Sequence, residues 1–154
     1  MMVMTAKVNF KKIALLLGAL ALVVIALTAL LGGRAQPTGA AAVSDNDARV
    51  KFLESFGWQV NAAPVESGQV KIPAEKNEVF DRYARLQESQ GYDLAPYAGK
   101  TVMRYVYQIT NYPNATEPVY ATLLVYKNQI IGGDVTNTDP NGKIHGFTMP
   151  AKEQ

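Results

Sequence analysis

Apolar and polar residues alternate most regularly between Lys100 and Asp134. The segment TVMRYVYQIT places apolar and aromatic residues at every second position, whereas PVYATLLVY is apolar on both faces, as an inner strand would be. Only Lys127 and Asn128 separate this second run from QIIGGDVTN, a connection short enough for a hairpin. The pattern therefore predicts three successive antiparallel strands, with IHGF as a candidate for a last, short edge strand.

Two stretches before these strands have helical spacing. Residues 45–56 begin with side chains that can cap a helix and repeat apolar residues until Gly57. Pro73 is predicted in the first turn of a second, amphipathic helix, which Gly91 would end in a left-handed conformation. The segment QVKIP between the helices is predicted to be a short extended piece.

These elements predict the fold class α+β, as one domain over residues 45–149 followed by a tail at 150–154. We expect a two-layer arrangement of two helices on an antiparallel sheet of about four strands, because one apolar helix face needs one sheet face to bury it. A cystatin-like arrangement is the first hypothesis from the pattern alone.

Residues 13–31 carry no charge and are close to the ~20 residues that a transmembrane helix needs. Three lysines precede them and one arginine follows, which predicts that residues 1–12 stay in the cytoplasm and the C-terminal domain lies outside. We interpret the segment as a transmembrane helix or uncleaved signal anchor, with residues 32–44 as a flexible linker. A cleaved signal peptide is the alternative, since residues 33–35 offer small residues for cleavage, and the domain would then be secreted.

Composition removes several classes of function. The chain has no cysteine and a single histidine, which excludes disulfides, thiol chemistry and cysteine-based zinc sites. The formal net charge of +2 comes from the four basic residues that flank the apolar segment, and the rest of the chain has 11 basic and 13 acidic residues. Scattered charges of this kind do not predict nucleic-acid binding.

The chemistry of the single histidine allows one enzymatic alternative. His145 could act as a general base in a small envelope hydrolase, but no G-x-S-x-G elbow accompanies it. A second motif, formed by Asn137, Asp139, Asn141 and Gly142, resembles the beginning of a calcium loop but lacks the acidic first and twelfth ligands. We therefore assign no catalytic residue, metal ligand or cofactor, and the sequence favours a protein that is not an enzyme.

An ordered set of short motifs resembles a known family. The motifs are FLESFGWQV, IP, RLQESQGYDLAPYAGK, RYVYQITNYP, LLVY, IIGGDV and HGF. Over residues 48–147 they resemble an uncharacterised domain-of-unknown-function family of small membrane-anchored proteins from Gram-positive, largely clostridial bacteria. The resemblance implies a single envelope-facing domain, with no assigned activity, substrate or catalytic residue.

The leading functional hypothesis is a non-catalytic, membrane-anchored extracytoplasmic domain that binds a partner protein or a cell-envelope component such as a glycan. A secreted binding or inhibitor module is a further alternative, and the oligomeric state is left open. Because the last strand is short, the sheet edge beside it should be partly open to a partner. We expect contacts from residues 132–147, with the following side chains: Tyr126, Asp134, Asp139, His145 and Phe147.

Overall fold

A computed structural model describes residues 41–151 of the chain. The predicted membrane segment, most of the linker and the end of the tail lie outside these residues. The elements are α1 (Asn46–Glu54), β1 (Glu66–Lys71), α2 (Glu78–Ser89), a 3₁₀ turn (Ala95–Tyr97), β2 (Thr101–Ile109), β3 (Val119–Tyr126), β4 (Gln129–Asn137) and β5 (Ile144–His145). Within this described part, none of the helices has the length and apolar character required to cross a bilayer.

The five strands form one antiparallel sheet in the order in which they occur along the chain. The predicted β3–β4 hairpin is confirmed: Lys127 and Asn128 have φ of 47° and 61°, the left-handed pair that a tight two-residue turn requires. The prediction of about four strands falls one short. The additional strand is β1, which overlaps the predicted extended piece and pairs with β2 along its whole length.

The two helices pack on opposite faces of this sheet. Phe52 and Leu53 of α1 share a core cluster with Tyr107 and with the residues of β2 and β3 that point the same way. Tyr83 of α2 packs against the other cluster, which contains Leu124. The predicted two layers are therefore three, because β3 is apolar on both faces and each face needs its own cover.

The start of α2 corrects one prediction. The helix begins at Glu78 and is capped by Asn77, whose side chain accepts a hydrogen bond from the Phe80 N–H at 2.8 Å. The segment before it is not helical: the backbone of Ile72 exchanges hydrogen bonds with Lys100 and Gly99 beside the sheet, and a bend at residues 74–75 leads to Asn77. Pro73 therefore precedes the helix rather than occupying its first turn.

The end of α2 confirms the predicted glycine cap. Gly91 has φ of 84°, and two backbone bonds close the last turn: Tyr92 N–H donates to Gln87 O at 3.0 Å, and Gly91 N–H donates to Glu88 O at 3.0 Å. This pair of bonds satisfies carbonyls that the helix would otherwise leave unpaired.

The described chain begins by joining the sheet. Val43 N–H donates to Asn128 O at 2.7 Å, and Ile130 N–H donates to Ala41 O at 3.0 Å. Val43 is only 2 % exposed. The folded domain therefore includes residues 41–44, which the sequence pattern assigned to the linker.

Candidate binding site

The predicted contact residues do not converge on one site. We call the end of the sheet formed by residues 110–118 and 138–143 the loop end, and the opposite end, at the β3–β4 turn, the hairpin end. Asp139 and His145 lie at or near the loop end, whereas Tyr126 lies at the hairpin end. Asp134 is buried on the face that α2 covers, and Phe147 is in the core.

The two loops of the loop end are bonded to each other. Thr116 donates to Asp139 through its backbone N–H and its hydroxyl. The Thr138 hydroxyl donates to the carbonyl of Pro118 at 2.6 Å. The hydrogen bond from the Thr116 hydroxyl, more than any other contact, holds the pKa of Asp139 below its usual value. The loops are thus fixed relative to one another, as binding loops on a rigid scaffold often are.

His145 is held at both ring nitrogens. Nδ1 lies 2.7 Å from the carbonyl oxygen of Gly146, and because a carbonyl only accepts, Nδ1 carries a proton. In the neutral ring Nε2 then accepts from the Tyr112 hydroxyl at 3.0 Å. The Tyr112 ring is stacked on Trp58, with centroids 5.6 Å apart. An imidazole bonded in this way has no lone pair directed at a substrate, which argues against the general-base role considered for His145.

Asp134 forms a buried polar cluster with α2. It is 6 % exposed, and its two oxygens accept from the Tyr83 hydroxyl at 3.0 Å and the Thr136 hydroxyl at 2.8 Å. Burial raises the pKa of this carboxyl, although these two bonds and the positive charge of Arg104 act in the opposite direction. Burial also raises the pKa of Tyr83 above its ordinary value. This cluster ties α2 to β4 and leaves Asp134 little surface for a partner.

Phe147 is a core residue in this structure. It is 1 % exposed, and its ring makes edge contacts with Phe52 at 5.2 Å and with Tyr92 at 6.3 Å. Its carbonyl accepts a hydrogen bond from Trp58 Nε1 at 2.6 Å. Phe147 therefore anchors the C-terminal segment against α1 rather than offering its ring to a partner.

The edge of β4 that we expected to be partly open is covered. Gly133 N–H donates to Gln87 Oε1 at 2.8 Å, and Gly133 O accepts from Gln90 Nε2 at 3.0 Å. Gln90 Oε1 also accepts from Phe147 N–H at 2.8 Å. These amide side chains take the place of a neighbouring strand between β5 and residues 41–43. A partner strand cannot add here without displacing them.

A cleft of about 360 Å³ lies beside this covered edge, between the ends of the two helices and the C-terminal segment. We call it the C-terminal cleft. Aromatic rings, an amide and backbone groups contribute to its walls, a mixture typical of ligand-binding pockets. The lining residues are Phe56, Ser89, Gln90, Tyr92, His145, Gly146, Phe147, Thr148, Met149 and Pro150.

Sequence reasoning did not identify the residues that organise this region, among them Tyr83, Gln87, Gln90 and Tyr112. One signal was present in the sequence: Gln87 and Gln90 are spaced to share a face of α2 with Tyr83. A fully buried glutamine on such a face needs hydrogen-bond partners. The backbone partner of Gln87 in β4, Gly133, lies 46 positions away in the chain, so the signal could not name it.

Part of the chain matches a known protein family. A family model described as "Domain of unknown function (DUF4830)" matches residues 52–135, more than half of the chain. The chain belongs to the DUF4830 family. The match begins near the end of α1 and ends inside β4, so the DUF4830 span contains β1, α2, β2 and β3 in full and leaves out most of α1, β5 and the C-terminal segment.

Searches of curated proteins and of solved structures found no significant match. The C-terminal cleft is formed partly by residues inside the DUF4830 match, such as Gln90 and Tyr92, and partly by residues that follow the match, such as His145 and Met149.

Proposed function

We propose that this DUF4830 protein is a non-catalytic, membrane-anchored extracytoplasmic domain that uses its C-terminal cleft to bind a partner protein or a cell-envelope component. The charge-free segment 13–31 would be the anchor, with the N-terminus inside and residues 41–151 outside. A cystatin-like arrangement of the sheet and α2 is part of the proposal, supported by the single antiparallel sheet with α2 connecting β1 and β2; α1 covers the opposite face in addition.

The observation that carries the proposal is the hydrogen bonding around the C-terminal cleft. His145 and Gln90 are the most chemically versatile side chains there, and both are held in place by bonds to their neighbours. Fixed polar groups beside aromatic walls favour recognition of a ligand of one shape. The same bonding makes the alternative, a hydrolase based on His145, less consistent with the geometry.

Site-specific photo-crosslinking in intact cells tests the proposal. A photoreactive residue at Pro150, which is exposed and lines the cleft, should give a discrete adduct with an envelope component. The matched control is the same residue at Gln69, which is exposed on β1 at the opposite edge of the sheet. Equal adducts from both positions, or none from Pro150, would show that the cleft is not the binding site.

A further inference from the structure

The hairpin end carries a cluster of aromatic rings and positive charges that the proposed cleft does not use. The rings of Tyr97 and Tyr126 meet edge to face, with centroids 5.4 Å apart. Lys100 Nζ lies 5.7 Å and 5.2 Å from the centroids of these two rings. Lys127 Nζ lies 5.5 Å from the centroid of Tyr126. We call these four residues the tyrosine–lysine patch.

The patch is accessible, and its lysines form no ion pair with the described residues. Both lysines are exposed, and both tyrosines are half-buried. Residues 41–151 contain one ion pair, between Arg104 and Glu66. Neither lysine of the patch therefore contacts a carboxylate among these residues. Tyrosine rings are amphipathic, with an apolar face and a hydroxyl group that can stay in water. Such rings, together with lysines, are common where proteins meet the surface of a bilayer.

The position of the patch relative to the incoming chain supports a membrane as its occupant. Residues 41–43 pair with the backbone at the β3–β4 turn, so the chain enters the domain beside Lys127. Residues 32–40 are the stretch between the proposed anchor and this point, and fully extended they reach at most about 32 Å. A domain held this close to a bilayer presents some surface to it, and the hairpin end is where the connection is made.

We infer that the tyrosine–lysine patch docks the domain onto anionic lipid headgroups of the membrane that anchors it. The inference rests on the proposed anchor and adds a docked orientation, in which the loop end points away from the lipid. The two ammonium groups would pair with headgroup phosphates, and the tyrosines would lie at headgroup level. A lysine near an anionic surface favours docking by about fivefold, so two together favour it by about 25-fold.

The test uses the full chain, which has no native cysteine and accepts single labels. A fluorophore on Gln129→Cys reports the hairpin end, and one on Asn141→Cys reports the loop end. Each protein is reconstituted in phosphatidylcholine vesicles with and without phosphatidylglycerol, and a quencher is attached to the lipid headgroups. We expect strong quenching at position 129 only with phosphatidylglycerol, and weak quenching at position 141 in both lipids.

Charge substitutions then test the patch itself. The double variant Lys100→Gln/Lys127→Gln should lose the quenching at position 129, whereas Lys143→Gln at the loop end should not. Equal quenching at both labels, or quenching that survives the double variant, overturns the inference. If soluble polyphosphate changes the label at position 129 as strongly as anionic lipid does, the patch binds a soluble polyanion and membrane docking is overturned.

Alkaline extraction of the same vesicles separates the two proposals. A chain that stays with the lipid but shows no quenching at position 129 retains the anchor and refutes the docking. A chain that is extracted refutes the anchor, and the docking inference fails with it.

Discussion

Gly133 shows how a single residue fixes the packing around the C-terminal cleft. A methyl group at this position would lie 2.1 Å from the carbonyl oxygen of Thr122 and 2.4 Å from the Phe147 ring. The ring could shift only by leaving the core, and the carbonyl belongs to the adjacent strand of the sheet. The backbone of Gly133 is also bonded to the side chains of Gln87 in α2 and of the C-cap residue Gln90, so a displacement here would disturb the covered edge as well.

We therefore predict that Gly133→Ala lowers the free energy of unfolding by about 3 kcal/mol or more, since overpacking against backbone cannot be relieved by a rotamer change. Urea unfolding followed by the fluorescence of Trp58, the single and buried tryptophan, measures the effect. Gly68→Ala is the matched control, because its added methyl group meets nothing within 4 Å. Equal midpoints for the two variants would contradict the packing argument.

The buried carboxylate of Asp134 makes stability depend on pH. Its pKa in the folded protein is raised above 3.8, so the folded state holds the proton more tightly than the unfolded state does. The contribution of Asp134 to stability consequently falls as pH rises from about 3.8 through the folded pKa. Asp134→Asn should remove this loss and be more stable than the wild type at neutral pH, with the difference shrinking in acid.

Urea unfolding midpoints of the wild type and of Asp134→Asn, measured from about pH 3.8 to neutral pH, show whether the stability difference between them grows with pH. Asp139→Asn is the opposite control: the pKa of Asp139 is lowered on folding, so its carboxylate stabilises the protein above 3.8 and this stabilisation is lost in acid. That substitution should reduce stability at neutral pH. A constant difference between wild type and Asp134→Asn at every pH would contradict the assignment.

At the scale of elements, the contact between α2 and β4 depends on glutamine side chains that form the hydrogen bonds a neighbouring strand would otherwise form with β4. The amide of Gln90 donates to Gly133 O and accepts from Phe147 N–H, as a residue in a strand would. An unpaired backbone group in a buried place costs ~1–3 kcal/mol. We predict that Gln90→Leu destabilises the domain by about 2 kcal/mol or more and speeds hydrogen exchange at the Phe147 amide.

Gln90→Glu refines this experiment, because a carboxylate can still accept from Phe147 N–H but cannot donate to Gly133 O. Exchange at Phe147 should stay slow in this variant even though its stability falls. Gln69→Leu on exposed β1 controls for the loss of an amide in general. Unchanged exchange at Phe147 in Gln90→Leu would show that the amide does not cover the edge.

Elements specified by local sequence were predictable, and those specified by distant contacts were not. The β3–β4 hairpin follows from two strands joined by Lys127 and Asn128, and the end of α2 follows from Gly91. The identity of β1 as a full strand depends on pairing with β2 across an intervening helix, which no local pattern encodes. The candidate site was predicted poorly for the same reason, since His145 meets Tyr112 and Asp134 meets Tyr83 only in the folded chain.

On the scale of the whole molecule, the domain has two unlike ends. The hairpin end receives the chain and carries the tyrosine–lysine patch, whereas the loop end carries the bonded loops of Thr116 and Asp139. The sheet strands run between them, so a partner at one end and a surface at the other would not compete for the same residues. The C-terminal cleft lies along the β5 side of the sheet.

The pairing of residues 41–43 with the β3–β4 turn also determines how the domain bears mechanical load. A pull on the chain from its N-terminal side is delivered first to the bonds of Val43 with Asn128 and of Ala41 with Ile130. The side chain of Val43, which is buried in the core, adds a second resistance to such a pull. The hydrogen bonds at the hairpin end are therefore the first to bear a load applied from the N-terminal side.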